Sequence, residues 1–128
     1  MHRIVRLMLA SMLMMGAVPA FSDTYTQFLR CEQDDDATSE ALQAVASKWL
    51  KAAQAQKGGA KLRMALHFPV VATMGEMDFA FVINSASLTE WGTFMDNYPG
   101  SAAEAIDDKY EDEVDCGDGS LWESVTVE

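Results

Sequence analysis

Residues 79–94 read FAFVINSASLTEWGTF, an alternating stretch that runs without a break into a capped helix. Phe79, Phe81 and Ile83 alternate with Ala80, Val82 and Asn84, the period of two that sends one set to each face of a strand. Ser87 then stands three residues before Glu90, the spacing of a capping box in which the serine hydroxyl accepts from the glutamate N–H. Leu88, Trp91, Met95 and Tyr98 follow on one helical face, and Pro99-Gly100 breaks the helix. A strand that feeds a helix so directly is half of a β-α-β unit, and the flanking sequence decides which kind.

Upstream, KLRMALHF at residues 61–68 places Leu62, Met64, Leu66 and Phe68 against Lys61, Arg63, Ala65 and His67, the clearest strand pattern in the chain. Pro69 closes it and Gly75 lies in the turn that follows, so this strand and the next form a hairpin with a long connection. Before it, Leu42, Val45, Ala46, Trp49, Ala52 and Ala53 recur at helical spacing from Ser39 until Gly58-Gly59 stops the run. Earlier still, TYTQFLRCEQ at residues 24–33 has strand composition and runs into Asp34-Asp35-Asp36, acids that suit the positive end of the helix. Downstream, Ser101 and Glu104 form a second capping box ahead of Ala105, Ile106, Tyr110 and Val114. Finally, LWESVTVE at residues 121–128 alternates Leu121, Val125 and Val127 against Trp122, Ser124 and Thr126, with Glu123 out of pattern, and reads as the last strand.

The order is strand, helix, strand, strand, broken helix, strand. This βαββαβ order implies an α+β, ferredoxin-like fold, a four-stranded antiparallel sheet with its helices on one face. Alternation then sorts the faces. Leu62, Met64, Leu66, Phe68, Phe79, Phe81, Ile83, Val125 and Val127 are expected under the helices, with Trp49, Trp91 and Tyr98 as core aromatics. The other face is expected to carry Phe28, Arg30, Arg63, His67, Val82, Asn84, Trp122 and Ser124, too apolar for a solvated surface and too polar for a plain core.

Residues 1–22, MHRIVRLMLASMLMMGAVPAFS, read as a secretory signal: Arg3 and Arg6 precede an apolar run from Ile4 to Val18, and small residues and a proline close it. The run is shorter than the roughly 20 residues of a membrane span. Cleavage after Ser22 leaves residues 23–128 as a single domain, periplasmic or secreted, with no membrane segment. Removing Arg3 and Arg6 leaves 7 basic against 20 acidic residues, a net charge of −13 in place of −11. Nucleic-acid partners are disfavoured, because that binding neutralises phosphates with Lys and Arg.

In its element order, in FAFVINSAS running into SLTEWGTF and in its export signal, the chain resembles the dimeric α/β-barrel group, small proteins related to antibiotic-biosynthesis monooxygenases, and especially its small exported members of unassigned activity. The resemblance implies a homodimer in which the open sheet faces pack to enclose a barrel, with a pocket for a small apolar ligand where one exists. It brings no catalytic motif.

Cys31 and Cys116 are the whole cysteine inventory. In a split β-α-β sheet the first and last strands are antiparallel neighbours. Cys31 ends the first strand and Cys116 just precedes the last, so a disulfide is expected. The surrounding EDEVDCGDGSLWE, residues 111–123, is no EF-hand, since alignment on Gly117 and Glu123 puts Val114 and Cys116 at ligand positions. The bond would nonetheless gather acids from both cysteine flanks. Weak surface calcium binding at Asp34, Asp35, Asp115 and Asp118 stands as one expectation, a plain solvated acidic patch as the other.

No nucleophile elbow, zinc-protease or phosphate-loop motif appears, and no cofactor is implied. His67, the one histidine after cleavage, is a weak candidate base; zinc would want more His or Cys ligands, and a haem on His67 finds little more support. Two readings stay open. One is a non-enzymatic binding or interaction module that dimerises through its sheet. The other is a cofactor-independent, monooxygenase-like enzyme using the barrel interior, with Arg63, His67, Asn84 and Trp122 at work.

Overall fold

The computed structural model describes residues 24–34, 36–70 and 78–127. The signal reading of residues 1–22 lies outside them. Seven elements follow in order: β1 (Thr24–Gln33), α1 (Ser39–Ala55), β2 (Arg63–His67), β3 (Phe79–Ser85), α2 (Leu88–Asp96), α3 (Ala102–Tyr110) and β4 (Val114–Ser124). The sheet order is β2-β3-β1-β4, antiparallel at every seam, which is the ferredoxin-like arrangement. The broken helix is two helices, α2 and α3, separated at Pro99-Gly100.

Each helix starts at a hydroxyl cap. Thr38 Oγ1 accepts from Ala41 N, Ser87 Oγ from Glu90 N and Ser101 Oγ from Glu104 N, which satisfies N–H groups left without helical partners. Glu104 reaches back to accept from Gly100 N, completing the second capping box one residue early.

The helices cover one face of the sheet. Trp49, Ala53, Leu62, Ile83, Phe94 and Ala103 form one buried cluster, and Cys31, Leu42 and Phe79 form another, with Leu29 touching both. Gly119 lies opposite Leu29, where a Cβ would come within 2.8 Å of Leu29 Cδ2. A side chain there would displace the residue that joins the two clusters.

The last strand differs from its expected span. It begins at Val114, so Cys116 lies inside it, and it ends at Ser124. Val125 and Val127 are not under the helices; they are 66% and 91% exposed and follow the Thr24–Ser124 pair, the last described one between β1 and β4. In return, the acidic, glycine-containing 114–120 becomes strand because β1 offers it pairing partners on both sides of a register shift, and strand preference yields to such context. Phe68 lies just past β2 and is 39% exposed, its ring tilted on Phe79 at 5.8 Å rather than sunk in the core.

Candidate functional site

Two surfaces could carry function, one on each side of the sheet. On the open side, register aligns side chains in rows across all four strands. Arg63, Asn84, Thr26 and Trp122 form one row, and Ala65, Val82, Phe28 and Ser120 the next. His67 and Ala80 continue with Arg30. Thr26 Oγ1 donates to Asn84 Oδ1 at 2.7 Å, and the Phe28 ring meets the edge of His67 at 6.5 Å. The sequence-derived set therefore does share one face. Its central member Val82 is buried, at 4% exposure, whereas Trp122 stands 59% exposed with its indole donating to Ser120 Oγ. Arg30, Arg63, His67 and Ser124 are exposed.

On the helix side, a half-open cavity of about 360 Å³ lies between α1, α3 and the sheet. Its walls are Val45 together with Leu29, Leu42, Trp49, Met64, Phe81, Ile83 and Ile106, which belong to or pack against the two core clusters. Its mouth is the exposed part of the lining, Asp107, Asp108 and Glu111 from the end of α3 and Asp115 and Cys116 from β4. His67 lines neither this cavity nor the shallower groove between α1 and β2.

Asp107 is the polar centre of this mouth. The Tyr98 hydroxyl donates to Asp107 Oδ2, and the Trp49 indole N–H donates to the Tyr98 oxygen at 3.3 Å. Partial burial disfavours the charged carboxylate and raises its pKa to about 6; Asp108 beside it adds to the rise, and the hydrogen bonding from Trp49 works against it. Because the folded-state value lies above the unfolded one, the native protein holds the extra proton, and its stability falls as pH rises from about 4 to about 6. Asp107→Asn should abolish that contribution. The variant should melt above the wild type at neutral pH and alongside it near pH 4. A melting difference that does not vary with pH would show that the carboxylate carries no such penalty.

Neither cavity nor carboxylate was singled out from sequence. Tyr98 and Asp107 meet because the Pro99-Gly100 break lies between them and lets α3 leave the line of α2 to pack against α1, and the stand-off between helix and sheet has no sequence signature. Around the cysteines the register pairs Glu32 with Asp115. Among the described residues no three His, Cys, Asp or Glu side chains are grouped to hold a metal ion. Asp35 and the side chain of Asp118 lie outside the description. Asp34 is tied by its N–H to Glu113 O at 3.1 Å, a strand-end contact. Cys31 and Cys116 pair directly in the β1-β4 register and their sulfurs lie at bonding distance, 2.06 Å.

No family model matches the chain, and no curated protein does. Among solved structures, a DABB-family protein with a ferredoxin-like fold from Mesorhizobium loti is similar at 11% identity, over 83% of this chain and 99% of that one, with a TM-score of 0.52. A dimeric ferredoxin-like protein of unknown function from Thermobifida fusca is 14% identical over 83% and 93%, with a TM-score of 0.49. A chlorite dismutase from Candidatus Nitrospira defluvii is 16% identical over 82% of this chain and 41% of its own, with a TM-score of 0.42. The Mesorhizobium structure shows the ferredoxin-like fold, and at such identities likeness speaks of fold alone.

Proposed function

We propose that the chain is an exported, non-enzymatic binding or interaction module that acts as a homodimer joined through its open sheet face. The observation that carries this reading is the exposed Ala65 and Trp122 on that face, set beside the half-buried Phe28 in neighbouring rows of the sheet. Apolar surface of that kind on a small domain is a recognition surface. Support for export comes from the cysteine pair, which suits an oxidising compartment, and from the signal-like residues 1–22. No helix among the described residues is long and apolar enough to cross a membrane.

The alternative, a monooxygenase-like enzyme in the barrel interior, asks for His67 inside a closed apolar cavity. In the single chain His67 is exposed, so a second chain would have to enclose it.

A charge at Val82 would test folding as much as pairing, because Val82 is buried within one chain. Ala65, its exposed neighbour on β2, is the cleaner position. Ala65→Glu should sediment as a monomer and keep the melting behaviour expected of an intact fold, whereas the wild type should sediment as a dimer at micromolar concentration. A monomeric wild type would refute the interface.

A further inference from the structure

The helix-side cavity lies on the opposite side of the sheet from the proposed dimer face. Its chemistry is sharply divided. The α1 contribution is entirely apolar, Leu42, Val45, Ala46 and Trp49, and the sheet adds Met64, Phe81 and Ile83. Among the described residues the mouth holds four carboxylates, Asp107, Asp108, Glu111 and Asp115, and no Lys or Arg lines any part of it. The nearby Lys109 is held over the Tyr110 ring, 5.4 Å from its centroid. A volume of about 360 Å³ is within the range of small-molecule sites, which combine apolar walls with a few placed polar groups.

Asp107 differs from a solvated surface acid. Tyr98 and Trp49 hold it in a relay of two hydrogen bonds, so its position at the cavity rim is set before anything binds. A pre-positioned acceptor spares a ligand the cost of ordering it. An anionic ligand would meet repulsion from all four acids, and a neutral one would leave Asp107 without a counter-charge.

We propose that this cavity binds a small apolar amine as its cation, with the hydrocarbon body between α1 and the sheet and the ammonium on Asp107. Binding should favour the ionised carboxylate, so affinity should weaken as pH falls through about 6, with Asp108, Glu111 and Asp115 the other acids facing the ammonium.

Calorimetric titrations with phenylbutylamine, phenylbutanol and phenylbutyrate test this at roughly 0.15 M salt, where long-range attraction to an acidic protein is largely screened. The amine should bind wild type more tightly than the alcohol, and the carboxylate should not bind. Asp107→Asn should weaken the amine at least tenfold and leave the alcohol unchanged. Asp112→Asn, which removes the same charge away from the cavity, should leave the amine unchanged. Val45→Phe, which fills the cavity, should abolish both. Equal affinity for amine and carboxylate, equal losses in the two Asn variants, or no binding by the amine would each overturn the proposal. Repeating the titration on Ala65→Glu separates it from the dimer, because the site is complete within one chain.

Discussion

Reduction of the Cys31–Cys116 bond is expected to destabilise the fold by about 4–5 kcal/mol, the chain-entropy value for a closed loop of this length. The cysteines are 85 residues apart, so the bond closes nearly the whole described domain into one ring. For a domain of this size that loss corresponds to a fall in melting temperature of roughly 20 °C. Domains this small are marginal to begin with, at about 5–15 kcal/mol, so the reduced protein should be close to unfolding at moderate temperature. The two cysteines should also differ. Cys31 is fully buried in the cluster with Leu42 and Phe79, whereas Cys116 is exposed at the cavity mouth. Cys116→Ser leaves Cys31 as a small apolar thiol in its place and loses only the cross-link. Cys31→Ser adds the burial of a hydroxyl, worth roughly 1–3 kcal/mol more if it finds no partner. Calorimetry on the oxidised, reduced and two variant proteins gives the order. A reduced protein that melts within a few degrees of the oxidised one would mean that the bond, though formed, constrains little.

How far the sequence disclosed this molecule depends on the range of the interactions that decide each part. Element order and sheet face came from local periodicity, and residues such as Phe79, Phe81 and Ile83 lie where alternation puts them because one face of β3 is buried under the helices. The pairing of Cys31 with Cys116 was legible for the same reason, since the fold makes their strands neighbours. The span of β4 was not legible. Its alternating end, Val125 to Val127, looks more like a strand than 114–120, but β1 pairs with the less regular stretch. A register shift between Leu29 and Cys31, where three steps on β4 answer two on β1, further hides that stretch from a strict period of two. The cavity was hidden more deeply. Alternation says which side chains face the helices, and it is silent on how far the helices stand off. The Trp49-Tyr98-Asp107 relay depends on how α1 and α3 meet at the turn that holds Tyr98, and Asp107 sits one residue outside the apolar stripe marked by Ile106.

Replacing Gly58 by alanine is expected to be among the most damaging single changes available on this surface. Gly58 follows α1 with φ +83°, a left-handed conformation that costs an ordinary residue about 1–2 kcal/mol. The larger obstacle is space. A Cβ on Gly58 would lie 2.4 Å from Phe94 N and 2.8 Å from Glu90 O, both backbone atoms of α2, which cannot swing aside as a side chain could. The turn after α1 is pinned there, because Gln56 Nε2 donates to Phe94 O at 3.1 Å and Phe94 itself belongs to the core with Trp49 and Ala53. Relief would therefore move α2 off the cluster or open the turn. Gly100 supplies the comparison. It has a similar φ of +76° but nothing within 4 Å of the site of a Cβ, so Gly100→Ala carries the conformational cost alone. Urea unfolding of the two variants separates the contributions: Gly100→Ala should lose about 1–2 kcal/mol, and Gly58→Ala distinctly more. If the two lose the same, α2 does not rest on the α1 turn at the distance described, and the first core cluster is looser than its geometry implies.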